Sequence, residues 1–174
     1  MALRPGRCFR EIERPYTRIS YRVKNKNYIP GAPQPRIRHF DMGNVKGDFP
    51  VNVYLVSLDD VQVRDNALEA ARIAIHKYLD KKVGAINYHF KVLKYPHHVL
   101  REHPIAMGAG ADRYSQGMRL AFGRPIGRAV QLFKQEKLIV VRTQPQFIPL
   151  VKEALKIGAS KLPFRAKIVV EEKK

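Results

Sequence analysis

Hydrophobic and polar positions fall into two regimes along the chain. Before residue 41, apolar residues are scattered among arginines and prolines with no sustained period. From residue 41 on they alternate in twos or recur every three to four positions, the marks of strands and helices. The run VNVYLVSL (51–58) reads as a strand by alternation and β-branched content. In RDNALEAARIAIHKYLDKK (64–82), Leu68, Ala71, Ile75 and Tyr78 or Leu79 share one helical face and leave Arg72 and Lys77 outside. Asp65 or Asn66 is suited to cap that helix at its start, and Gly84 to stop it. INYHFKVL (86–93) sets Ile86, Tyr88, Phe90 and Val92 against Asn87, His89 and Lys91, a strand buried on one face. AVQLF (129–133) and KLIVVRTQ (137–144) read as strands about a short turn. QFIPLVKEALKIG (146–158) is a second amphipathic helix, with Pro149 in its first turn and Gly158 just past its end, and FRAKIVVE (164–171) a closing strand.

Strand–helix–strand thus occurs twice, around 51–93 and 137–170. The expected fold is α+β, a two-layer sandwich in which two helices cover one face of a single mixed sheet. That makes 41–174 one domain. Its long loop, 101–120, contains MGAGADRYSQGMR (107–119), rich in glycine and without apolar period, and loops of this length in a compact domain are functional or disordered.

Residues 1–40 read differently. Arg4, Arg7, Arg10, Arg14, Arg18, Arg22, Lys24, Lys26, Arg36 and Arg38 alternate with Phe9, Tyr16, Tyr21, Tyr28 and Phe40. Prolines at 5, 15, 30, 33 and 35 break any continuous helix, so an extended basic arm is expected. Guanidinium forks suit phosphates and aromatic rings suit unpaired bases, so such an arm is expected to order on RNA.

Charge strengthens that reading. The 174 residues hold 33 Lys and Arg against 15 Asp and Glu, a net +18. Residues 41–80 alone are net acidic, which places the excess on one side of the molecule. A protein so charged repels itself when compact, and a polyanionic partner offsets that cost. Within the domain, Arg101, Arg113 and Arg119 lie on the long loop, Arg124 and Arg128 follow it, and Lys161 and Arg165 precede the last strand. No basic amphipathic helix points to a membrane surface, and no apolar run is long enough to span one. The lone Cys8 fits a reducing, cytoplasmic compartment.

Enzyme chemistry finds no support. The GAG of 108–110 lacks the third glycine of a dinucleotide loop, since Arg113 stands there, and no phosphate-binding loop ending in Gly-Lys-Ser or Gly-Lys-Thr occurs. His97, His98 and His103 cluster in sequence without thiolates to complete a zinc set. Asp59 and Asp60 read as solvated turn residues, and Glu102 and Asp112 as local partners of Arg101 and Arg113. No catalytic residue, metal or cofactor is expected.

Five stretches carry a resemblance: LRPGRCFR, ALEAARIA, HHVLREHP, GAGADRYSQGMRLAFGRPIGRA and EALKIGASKLPFRAKIVV. In order and over nearly the whole chain, they resemble the large-subunit ribosomal protein family called ten-e in archaea and eukaryotes, the counterpart of bacterial protein sixteen. The single cysteine and the short C-terminus look like its archaeal members. The resemblance implies a hammerhead-type α+β fold and a cytoplasmic, ribosome-bound monomer. It implies contacts to large-subunit rRNA and to neighbouring ribosomal proteins. It also implies a loop that points toward the peptidyl-transferase region and the tRNA acceptor ends, with peptide-bond chemistry left to the RNA. Carried onto this sequence, the loop motif falls on Gly108, Gly110, Asp112 and Arg113, with Arg101, His103 and Arg119 beside it. The strand entry falls on Arg119, Gly123, Pro125 and Gly127, the arm's opening on Arg4, Arg7 and Arg10, and the motif before the last strand on Lys161, Pro163 and Arg165. Where the bacterial loop is richer in lysine and glycine, this one has Ala109, Ala111 and Asp112. A free RNA-binding or chaperone protein outside the ribosome is the alternative.

Overall fold

The computed structural model describes residues 4–15, 21–26, 29–119 and 121–172. Two helices and eight strands follow in the order β1 (Asp41–Gly43), β2 (Val51–Ser57), β3 (Val61–Arg64), α1 (Asp65–Lys82), β4 (Tyr88–Val92), β5 (His98–Glu102), β6 (Arg124–Leu132), β7 (Lys137–Thr143), α2 (Ile148–Ala159) and β8 (Ala166–Glu172). The chain is α+β, with each expected helix and strand present within a few residues of its reading.

The sheet differs from expectation. In place of one mixed sheet there are two antiparallel ones, β1-β4-β7-β2-β8 and β3-β6-β5. Each helix crossover returns to a strand of the same direction but skips one place, so an antiparallel neighbour fills the gap: β7 between β2 and β4, β2 between β7 and β8. These are two split βαβ units. Two sheets arise because the β2–β3 and β6–β7 connections turn a corner side by side. Ser57 N–H donates to the Glu136 carbonyl at 3.0 Å and Gln135 N–H to the Ser57 carbonyl at 2.8 Å, so β2 pairs with β7 before the corner and β3 with β6 after it. Asp59 and Asp60, expected to be solvated, hold this corner. Asp59 binds Arg165, and Asp60 accepts the Lys134 N–H at 2.7 Å.

Both helices lie on one face of the larger sheet. Leu68, Ala71, Ile75 and Leu79 of α1 and Val151, Ala154 and Leu155 of α2 pack with Val53, Leu55, Phe90, Ile139 and Val141, all fully buried. Val61, Val63, Val130 and Leu132 bring one face of the smaller sheet into the same core. At the start of α1, Asp65 is the first helical residue rather than its cap, and its Oδ2 accepts the Arg36 N–H at 2.9 Å. Gly84, at φ +83°, ends the helix and donates to the Leu79 carbonyl, as its position suggested.

Gly158 does something other than end α2. It lies inside the helix where α2 crosses α1, and a Cβ there would stand 2.4 Å from Ile75 Cδ1. Ile75 is fully buried and β-branched, so it has little room to yield. Gly158→Val is therefore expected to cost roughly 1–3 kcal/mol by overpacking. The measurement is urea unfolding, where the midpoint should fall with an unchanged slope. An unchanged midpoint would mean that the crossing is looser than this.

Candidate nucleic-acid interface

The free face of the smaller sheet is covered by the N-terminal segment. A 3₁₀ turn, Gly6–Phe9, drives Phe9 against Leu100, Ala129 and Ile126, a second small core. The chain then runs beside β3. Gln62 donates its N–H to the Arg10 carbonyl at 2.8 Å and its amide to the Phe9 carbonyl at 3.2 Å, and Gln131 donates to the Glu13 carbonyl at 2.7 Å. Arg64 donates to the Arg4 carbonyl, and Arg4 Nε pairs with Glu102. Residues expected to order on RNA are thus partly ordered by the chain itself, because Phe9 finds an apolar site at home. Phe40 is likewise half-buried, its ring tilted against that of Tyr95 with centroids 5.7 Å apart, while Tyr21 is 93 % exposed. Tyr16, Tyr28 and Arg18 lie outside the described residues, as does the side chain of Lys24.

The arginines project outward from this scaffold. Arg7, Arg10, Arg14 and Arg22 are exposed, and among the described residues none of them forms an ion pair. Lys26 is exposed as well. Further on, Pro35 and Ile37 turn inward and Arg36 and Arg38 outward, an alternation set by Ile37 joining the main core. Arg124 is exposed at the head of β6 and Lys161 after α2. Arg128 is half-buried, its Nε donating to the Pro33 carbonyl at 2.8 Å, so it ties down residues 29–40.

Arg165 is exposed but paired. Its guanidinium meets Asp59 at 2.8 Å, and its side-chain and backbone hydrogen bonds lower the Asp59 carboxyl from 3.8 to about 2. A lowered folded-state value means the contact stabilises fully above the unfolded value near ~3.9 and is lost as pH falls through about 2. The stability difference between wild type and Asp59→Asn should accordingly stay constant from about pH 7 to 5 and shrink progressively from there toward pH 2, read by urea titration at each pH. A difference that persists undiminished at pH 2 would assign it to something other than this carboxylate.

The long loop begins later than its sequence suggested. Arg101 and Glu102 belong to β5, so Glu102 answers Arg4, 98 residues away, rather than Arg101. Arg101 turns inward, donating to the Gly123 carbonyl at 3.0 Å with its guanidinium 4.2 Å from the centroid of the Phe122 ring. It clamps the end of the loop. Gly123 is required there, at φ +80° with the backbone of Glu102 within 2.7 Å of where a Cβ would stand. His103 binds the Gly117 carbonyl at 2.6 Å across the loop base. Gly108 and Gly110 have φ of +116° and +80°, and Gly110 leads into a 3₁₀ turn, Ala111–Arg113. Asp112, Arg113 and Arg119 are exposed, and Asp112 forms no ion pair with Arg113. The tip also presents Met107, 94 % exposed, and Tyr114, 85 % exposed, neither singled out from sequence. The absence of an apolar period around them was the available signal.

The three histidines go separate ways. His97 contacts the Tyr95 carbonyl, His103 the loop, and His98 is buried in β5, where desolvation lowers its pKa. Among the described residues no cluster of three or more His, Cys, Asp or Glu is arranged to hold a metal, and no helix is long and apolar enough to cross a membrane.

Comparison with known proteins decides the family. Residues 16–169 match the family described as Ribosomal protein L16p/L10e. The chain belongs to that family. Among its relatives are proteins named large ribosomal subunit protein uL16. The one from Archaeoglobus fulgidus is 51 % identical, covering 99 % of this chain and 95 % of its own. Those from Methanococcus aeolicus and Sulfolobus acidocaldarius are each 49 % identical, with 98 % of this chain covered and 95 % and 94 % of theirs. The L16p/L10e family is a structural, non-enzymatic one.

Proposed function

We propose that this protein is a structural constituent of the large ribosomal subunit. In this reading it binds large-subunit rRNA through the basic residues of 4–38, among them the exposed Arg7, Arg10, Arg14, Arg22, Arg36 and Arg38, and through Arg124, Lys161 and Arg165. It sits there as one copy among other ribosomal proteins and needs no cofactor. The loop 103–123 lies close to the tRNA site, where its rigid base and exposed tip help to position the acceptor end. The observation that carries the reading is the near full-length identity, about half of all positions, to proteins named for the large subunit. Arg7, Arg10, Arg14, Arg22, Arg36 and Arg38 add support, because these exposed guanidiniums form no ion pair among the described residues and so remain available to phosphates.

Binding of this kind releases counterions. About ten phosphate contacts would give a log–log salt slope of roughly −7 to −9. The experiment that tests the reading is sedimentation of a native-host lysate through a sucrose gradient at moderate salt. The protein should travel with large subunits and translating ribosomes. Recovery at the top of the gradient would overturn the reading in favour of a free RNA-binding protein.

A further inference from the structure

Between the docked N-terminal segment and the smaller sheet lies a cleft of about 310 Å³ that no role above uses. We propose that it receives a single unpaired purine nucleotide of the bound RNA, an inference that rests on the RNA-binding reading. The floor is apolar: Phe9, Leu100 and Ile126 line it. Gly127, in the middle of β6, deepens the floor, since a Cβ built there meets nothing within 4 Å. The rim is cationic, formed by Arg4, Arg36 and Arg64, the last with its guanidinium 5.7 Å from the centre of the Phe9 ring. Two carboxylates, Asp65 and Glu102, reach the same cleft.

Each part suits one part of a nucleotide. A base is flat and apolar on its faces, and a floor containing one aromatic ring accepts it out of water. Its phosphate needs cations at the edge, and Arg36 is exposed with no ion pair among the described residues. The edge of a purine such as guanine carries N–H donors, and the carboxylates are acceptors. Asp65 Oδ2 accepts the Arg36 N–H and Oδ1 the Asn66 N–H, and Glu102 Oε1 pairs with Arg4, yet a carboxylate has about four lone-pair sites, so acceptor capacity remains on both, most of it on Glu102. The volume falls at the lower end of ligand pockets, ~300–1,000 Å³, which admits one nucleotide and excludes a helix. Two distant segments, 4–9 and 33–36, close it over the sheet, so the cleft exists only once the N-terminal segment has docked.

The test uses the full-length protein and two RNA duplexes of equal length, one fully paired and one with a single bulged guanosine. Wild type should bind the bulged duplex about tenfold or more tightly than the paired one at the same salt, within the range measured for stacking one base. Gly127→Val fills the floor with a side chain that strands favour. It should abolish the preference, with the paired-duplex affinity, its salt slope and the thermal midpoint unchanged. Arg36→Ala, a surface change, is a second variant that tests the rim and should reduce the preference severalfold. With 2-aminopurine at the bulge, emission should shift on binding wild type and not on binding Gly127→Val. A wild type that binds both duplexes alike, or a Gly127→Val protein that keeps the preference, overturns the cleft and leaves RNA binding standing. Binding to neither duplex would sink the RNA-binding reading itself. If wild type shows no bulge preference and Gly127→Val is lost from large subunits, the cleft holds a protein neighbour and the proposal is wrong.

Discussion

Replacing Arg7, Arg10, Arg14 and Arg22 together by glutamine will flatten the salt dependence of RNA binding by about three log–log units, at ~0.7–0.9 per lost phosphate contact. At about 0.1 M salt that corresponds to roughly a thousandfold loss of affinity. The four side chains are exposed, and none makes an ion pair among the described residues, so the fold should melt where wild type does. This design separates charge from packing, which deletion of residues 1–40 would not. Deletion would also remove Phe9 from the smaller core and Ile37 from the main one, and a loss of binding would then report misfolding as readily as lost contacts. Isothermal titration or filter binding across a salt series measures the slope. A slope within one unit of wild type would show that the arm does not touch phosphates.

Gly123→Val should separate binding from function. Valine at φ +80° costs ~1–2 kcal/mol for the left-handed backbone alone, and its Cβ falls within 2.7 Å of the Glu102 carbonyl group, adding roughly 1–3 kcal/mol of overpacking. The backbone there must shift, and the contacts that clamp the end of the loop move with it: the Arg101 hydrogen bond to the Gly123 carbonyl and the Phe122 ring against Arg101. Arg4 reaches Glu102 beside this site, but the contacts of Gln62 with Phe9 and Arg10 and of Gln131 with Glu13 lie farther along the smaller sheet and hold the rest of the arm in place. The expected result is a protein about 3 kcal/mol less stable that still enters the large subunit, with polypeptide synthesis per subunit cut severalfold. Amide exchange across residues 103–123 should rise at the same time. Variant subunits that translate at the wild-type rate would remove the loop from any part in tRNA positioning. A variant that fails to enter subunits would make the loop a binding element instead.

Much of the candidate interface was legible because its signals are local. Pro35 and Ile37 alternate with Arg36 and Arg38 in the sequence as they do in space, and the glycines of 108–123 mark a loop in both. Partners were not legible. Glu102 stands beside Arg101 in the chain and pairs with Arg4; Asp59 looks like a turn residue and pairs with Arg165, 106 positions on. His89 occupies a polar position of β4 and is nonetheless buried, because Asp41 of β1 and Arg142 of β7 close over it. Phe9 sits among arginines as a base-stacking residue would, and its first role is local: it anchors the N-terminal segment on Leu100 and Ala129, with its ring forming part of the cleft floor.

The sequence by itself determined two helices, the central strands, the basic character and the family. Helical and strand periods, turn residues and net charge are read within a few neighbouring positions, and a local physical rule suffices for each. Only the tertiary structure decided that the strands form two antiparallel sheets about a shared corner, and that Gly158 is a crossing point rather than a cap. It also decided that the N-terminal segment docks and encloses a cleft, and which arginines form no ion pair among the described residues and which are held by Asp59, Glu102 or a backbone carbonyl. Strand partners, helix crossings and ion pairs depend on which distant residues meet, and burial of the whole core selects among meetings that local pattern leaves equal.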